Sequence, residues 1–388
     1  MKTVKTHPLG GDTRDRFNPS LEGLRGLAAL MVVVAHALPD EGGFTVGVDV
    51  FFVLSGFLIT RLVVDELARR GTASLREFYI RRAFRLFPAL FVFIVAVLAW
   101  TQFLCPGVGI ASVHGTVLNS LLYVENWHVI AVAPAATPAF PADPASQAWS
   151  LSVEEQFYLL WPVVLIAAWR WKGKRAALIV AACGLVLSLV DIYGLAWFGT
   201  TYARVYFGSD TRAAEVLAGC CIALLAQCGW LPRVPRWASA MALLAILAVA
   251  VIQPPLMYEM FAMVGLGSVL VAGLTQHGLW PLTSTPARWL GQRSYAIYLW
   301  HPFMGAILFY QFHIVSGIGM LGCVLVMTLL VADVTYRWVE RPLRDVGRRL
   351  SIRPAPRIRP LPPRSRRLTV PEIDTPVEGV TQPGAAVP

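Results

Sequence analysis

The chain has 388 residues, of which 56% are hydrophobic and only 14% charged, with a mean hydropathy of +0.59 and a formal net charge of +10. That is too apolar and too charge-poor for a soluble enzyme of this length. The composition points to a protein that lives in a membrane.

In chain order, apolar stretches at 22–38, 46–64, 86–104, 150–169, 176–198, 212–230, 237–253, 257–276, 289–311 and 315–336 each approach the length that a ~30 Å hydrocarbon core demands of a helix. The expected fold class is therefore all-α, a polytopic membrane protein with about ten transmembrane helices. A more polar run at 110–124 reads as an interfacial helix. The expected division is a cytoplasmic N-terminal segment at 1–19, a membrane domain at 20–342, and a disordered, basic, Pro-rich cytoplasmic tail at 343–388.

Charge patterning tests the count. Lys2, Lys5, Arg14 and Arg16 precede the first span, seven arginines fall between Arg61 and Arg85, and further groups lie at Arg170–Arg175, at Arg233 with Arg236, and after Arg337. The intervening loops carry almost none: 39–45 holds Asp40 and Glu41, and 105–149 has no Lys or Arg at all. Only Arg204 and Arg212 break the alternation. By the positive-inside rule both termini are cytoplasmic, and the protein is expected as a multi-pass protein of the cell membrane. The net charge is then mostly topology plus contact with membrane lipids, and no nucleic-acid partner is expected.

The cysteines say little. Cys183, Cys220, Cys221, Cys228 and Cys323 lie within spans and Cys105 near a non-cytoplasmic edge, with neither C-x-x-C nor a His/Cys cluster, so no disulfide framework and no metal site is expected. Ala35-His36-Ala37 resembles a small-x-small cleavage site, but the long leader and Glu22 argue against a signal peptide.

The polar residues within spans carry the functional content. Arg25 and His36 are separated by ten residues; on a helix they lie ~20° apart around the axis and ~16 Å apart along it. A fixed cation and a titratable imidazole thus share one face of a span, where polar groups usually line a pathway. On the expected topology, His36, Asp49, Glu154, Glu155, Asp210, Arg212 and Glu215 form an outer layer. Arg25, Arg61, Arg81, Arg82, Arg85 and Arg293 form an inner, cationic one. In SLREFYIRRAFRLFP the arginines alternate with aromatics, a face suited either to phosphate or to lipid headgroups. The residues alone leave several readings open. His36 is a catalyst or an interhelical hydrogen-bond partner, Glu154 and Glu155 are site residues or helix-end anchors, and Asp210 and Arg212 pair with each other or touch a substrate. His301, between aromatics and beside Pro302, reads as structural.

Five stretches in order resemble the membrane-bound acyltransferase 3 family. SLEGLRGLAALMVVVAH contains its Arg-x10-His signature; GVDVFFVLSGFLIT, FYIRRAFRLFPAL and AWSLSVEEQFYLLWP follow, and SYAIYLWHPF with YRWVERPLR closes the set. The resemblance covers about 20–340. Some members carry a fused extracytoplasmic hydrolase-like domain beyond that point; none is expected from this tail.

The resemblance implies transfer of an acyl group, often acetyl, from cytoplasmic acyl-CoA to a hydroxyl of a carbohydrate or glycolipid acceptor across the membrane, with no metal. Arg81, Arg82 and Arg85 are then expected to hold coenzyme A phosphates, with Arg25 further along the path. His36 is the expected general base, or alternatively an acyl-accepting nucleophile. Glu154, Glu155 or Asp49 is the expected orienting carboxylate; adjacent helical residues diverge by ~100°, so the two glutamates cannot both face His36. Asp210 and Arg212 are the expected substrate-binding pair. A secondary transporter, which would show flux without covalent change, and a non-catalytic scaffold in a glycan-assembly complex are the competing classes.

Overall fold

The computed structural model describes residues 18–351 apart from 39–42, 44, 106–109, 133–143, 146 and 315–316. The N-terminal segment before Asn18, most of the loop at 131–145 and the tail beyond Ser351 lie outside the described residues. Those described are helical, with no strand among them.

The first helix, α1 (Pro19–Ala37), opens on an Asn18 cap whose side chain accepts the amide N–H groups of Ser20 and Leu21, with proline at the first helical position. Next come α2 (Val46–Arg70), ended by Gly71 in the left-handed region, and α3 (Leu75–Ala99), capped by Ser74 and continued by a π-helical turn at Trp100–Leu104. The expected interfacial run contains α4 (Ile110–Leu121), followed by the short α5 (Glu125–Val132). The long α6 (Ala148–Trp197) covers two expected spans, divided at Lys172 and at Gly173, whose φ of 73° only glycine adopts without strain. Then follow α7 (Tyr202–Phe207), α8 (Ser209–Cys228), α9 (Arg236–Ile252), α10 (Leu256–Gln276), α11 (Thr285–Phe312) and α12 (Ile318–Thr335). A π-helical stretch at Tyr336–Glu340 leads into α13 (Arg341–Ser351). Residues 343–351, expected as the start of a disordered tail, are therefore helical: Gly347 lets α13 seat directly on Phe84 of α3.

Seven of these helices are long and apolar enough to cross a membrane. Among the remaining stretches expected to span, α9 is 17 residues long and the second half of α6 is counted with the first. Helix α11 carries Arg288 and Arg293. The helices α1, α2, α8 and α11 are the most enclosed, whereas α3, α6 and α12 turn large side chains such as Phe91, Leu160, Leu187 and Leu330 outward. An apolar exterior of this extent suits hydrocarbon rather than water.

Close backbone approaches set the register of the centre. A Cβ at Gly291 would lie 1.9 Å from the Glu22 carbonyl oxygen, and one at Gly26 would lie 2.8 Å from the Gly291 amide nitrogen. Before this contact Gly23 meets Leu282 and after it His36 meets His301, so α1 and α11 run side by side in parallel. Gly56 on α2 meets Val216 of α8 in the same way, and Gly219 meets Val53. Small residues permitting such contact are the usual means of helix association in lipid. Gly291→Ala must push α1 away from α11. The expected result is a loss of about 1–3 kcal/mol, read as a lower unfolding midpoint in detergent.

Candidate functional site

The parallel register of α1 and α11 has a direct consequence. His36 stands ten residues after Gly26, and His301 ten residues after Gly291. The glycine contact below therefore delivers two imidazoles side by side above. Nε2 of His301 is 3.4 Å from Nδ1 of His36, with the rings edge to face at 4.9 Å between centroids. Backbone carbonyls define the tautomers: His36 Nδ1–H donates to Val32 O at 2.8 Å, and His301 Nδ1–H donates to Tyr298 O at 2.7 Å. Each ring then bears its lone pair on Nε2, and that of His301 faces the Nδ1–H of His36.

A cavity of about 480 Å³ runs beside this pair. Its wall follows α2 from Val48 to Asp65, which is ~26 Å of helix. At one end it is lined by Arg25, Arg61, Arg81, Arg82, Arg85, Arg344 and Arg348, and at the other by Phe51, Ser150 and Tyr298. His36 is not itself in the wall. Tyr298 is the link: its ring lies 5.6 Å from that of His301, its hydroxyl donates to the Gln147 carbonyl at 2.9 Å, and it is in hydrogen-bond contact with the Ser150 hydroxyl.

The expected phosphate-binding arginines divide into two kinds. Arg82 makes a two-pronged ion pair with Glu155 (2.7 and 3.1 Å) and lies 3.2 Å over the Tyr158 ring. Arg81 is paired with Glu77 at 3.5 Å and with Glu66 at 3.7 Å. Arg25 and Arg85 line the cavity, yet neither makes an ion pair or hydrogen bond among the described residues.

The three carboxylates expected to orient His36 are engaged elsewhere. Glu154 accepts from Ser55 at 2.7 Å and from Tyr158 at 3.4 Å, while Glu155 is held by Arg82. The ~100° step between adjacent helical residues sends one toward α2 and the other toward α3. Asp49 is paired with Arg212. The imidazole of His301 stands where a carboxylate was expected, and it is the residue that sequence reasoning assigned to structure.

Asp210 and Arg212 do not pair with each other. Two residues apart on a helix, they point to opposite sides. Asp210 makes a fork with Arg204 (2.5 and 2.9 Å). Arg212 is fully buried, where it holds Asp49, reaches Glu215 at 3.3 Å and the Tyr206 carbonyl at 2.6 Å, and lies 4.2 Å over the Tyr206 ring.

A family model described as an acyltransferase domain, Acyl_transf_3, matches residues 18–337. The chain is 34% identical over 354 residues to the peptidoglycan O-acetyltransferase OatA of Listeria monocytogenes, and 30% identical over 361 residues to the O-acetyltransferase OatA of Staphylococcus aureus. Each alignment covers 86% of this chain, which spans 56% and 58% of the length of these two relatives. No solved structure matches. The match over residues 18–337, which include both histidines and Arg25, Arg81, Arg82 and Arg85 of the cavity, shows that the chain belongs to the acyltransferase 3 family.

Proposed function

We propose that the protein is an O-acyltransferase that moves an acyl group from cytoplasmic acyl-CoA to a hydroxyl of a cell-envelope or exported glycan. Likeness to the two O-acetyltransferases favours acetyl, and the peptidoglycan named for one of them favours a carbohydrate acceptor. The reading takes ten spans with both termini cytoplasmic in the cell membrane, so that the arginine end of the cavity faces the cytoplasm and His36 lies toward the opposite surface.

The observation that carries it is the pair Arg25 and Arg85. Two guanidiniums that repel each other, make no direct ion pair and share the influence of a single carboxylate, Glu340, are costly to enclose, and a diphosphate answers both through paired donors. Arg81 and Arg82, already neutralised, shape the wall around them. Bound there, the donor supplies a thioester whose arm extends along the cavity toward Tyr298. Nε2 of His36 then takes the proton of the acceptor hydroxyl as that oxygen bonds to the thioester carbonyl carbon. The C–S bond breaks and the proton passes to the departing sulfur. The His301 lone pair, facing His36 Nδ1–H, steadies the imidazolium formed on the way. Glu154, Glu155 and Asp49 keep the helices that carry these groups in place, and Asp210 and Arg212 do the same near the acceptor side.

The test is donor binding. Arg25→Gln and Arg85→Gln are each expected to weaken binding of acetyl-CoA to the purified protein roughly tenfold to a hundredfold, as loss of a charge-assisted hydrogen bond implies. Isothermal titration of wild type against the two variants measures it. Equal affinity in all three would overturn the assignment of the donor to this cavity.

A further inference from the structure

Helix α13 lies beyond the end of the family match at 337. The π-helical stretch at Tyr336–Glu340 re-aims the chain there, a device frequent at functional sites. It turns α13 back onto α3, where a Cβ at Gly347 would meet the Phe84 side chain at 2.5 Å. Phe84 immediately precedes Arg85, so α13 sits over the arginine end of the donor cavity.

There it helps to enclose a second cavity, of about 810 Å³, which shares Glu22, Arg344 and Arg348 with the wall of the first. Arg341, Arg344 and Arg348 recur at i, i+3 and i+7, so a single face of α13 lines this space, and Arg349 falls off it. Most of the charge in the wall is already matched. Arg293 and Arg337 share Asp333 (2.7 and 2.9 Å), Arg348 holds Asp345 (2.7 Å), and Glu22 is 3.6 Å from Arg288. Arg341 and Arg344 make no direct ion pair among the described residues; Arg344 shares the electrostatic influence of Glu340 with Arg25, Arg85 and Arg293, so one carboxylate serves four guanidiniums. Arg344 leans on the Tyr336 ring at 5.8 Å, and Arg293 lies over the same ring at 4.7 Å.

We propose that Arg341 and Arg344 form a second phosphate subsite, separate from Arg25 and Arg85, that takes a phosphomonoester: the 3′-phosphate on the ribose of coenzyme A. The inference rests on acyl-CoA being the donor. With the diphosphate on Arg25 and Arg85 and the thioester reaching toward the histidines, the nucleotide must extend the other way, and the second cavity opens there. A 3′-phosphate carries close to two negative charges and matches two guanidiniums that hold no direct ion pair. Anionic lipid headgroups offer the same chemistry at a membrane surface, so the test separates the two sources.

The experiment compares binding of coenzyme A and 3′-dephospho-coenzyme A to the purified full chain in nanodiscs of neutral phosphatidylcholine. Wild type is expected to prefer coenzyme A by roughly tenfold to a hundredfold. The double variant Arg341→Gln/Arg344→Gln is expected to lower that ratio to less than about threefold, and Arg344→Lys to retain part of it. Because the ratio is taken within one preparation, misfolded material does not alter it. Should the double variant bind neither compound, the wild-type preference and the lysine variant decide. Equal wild-type affinity for the two compounds overturns the subsite while leaving the donor assignment standing, as does a preference that survives the double substitution. Failure of wild type to bind either compound overturns both. Loss of the preference when phosphatidylglycerol is added to the nanodiscs assigns the arginines to lipid and overturns the proposal.

Discussion

His36→Ala is expected to lower the rate of acyl transfer by about 10²–10⁴-fold while acetyl-CoA binding and membrane abundance stay near wild type. The expectation follows from the position of the imidazole. Its Nδ1–H is committed to Val32 O and to Nε2 of His301, so Nε2 of His36 carries the lone pair that a base requires. A sugar hydroxyl is a weak nucleophile until its proton is leaving, and imidazole is the side chain that accepts it near neutral pH. Arg25, proposed to hold the donor, sits ~16 Å away along α1, so a defect at His36 should fall on kcat rather than on donor affinity. A single-turnover assay with labelled acetyl-CoA separates the two. A variant that retains more than about a tenth of the wild-type rate would remove His36 from proton transfer.

Arg212→Met is expected to destabilise the folded protein by about 3–5 kcal/mol, the cost of leaving a buried charge network without its partner. Arg212 is fully enclosed and its guanidinium joins Asp49 of α2 to Glu215 and to the Tyr206 carbonyl. With the cation gone, two carboxylates face each other among Phe52, Trp149 and Tyr206. Arg212→Lys keeps the charge but not the planar fork and should fall between the two. Thermal unfolding in detergent measures the effect, and an unchanged midpoint for the methionine variant would show that the cluster binds substrate rather than ties α2 to α8.

Much of the scaffold is legible in the sequence because membrane helices announce themselves locally. Among the described residues, each apolar stretch expected to span coincides with a helix to within a few residues, since length and hydropathy are properties of contiguous residues. What escapes is set by contacts between distant segments. Arg82 and Glu155 are 73 positions apart and Arg212 and Asp49 163, so no helical periodicity connects them. The division of the arginines into paired and unpaired follows from those partners, which is why Arg81 and Arg82 looked as available for phosphate as Arg85. His301 was hidden in the same way, although one signal was present. Gly26 precedes His36 by the same ten residues that separate Gly291 from His301, as two parallel helices in close contact require. Helix α13 was missed because its arginines and Pro342 resemble the polar tail that follows, and only its seat on α3 makes it a helix.

The most direct test of acyl transfer to a glycan is mass spectrometry of envelope glycans and glycolipids from cells that make wild type, His36→Ala, or no protein, at matched membrane abundance. An ester mass on a glycan is expected with wild type and not with the other two. The same ester in full yield with His36→Ala would contradict the histidine mechanism, and identical profiles with and without the protein would contradict transfer to an envelope glycan.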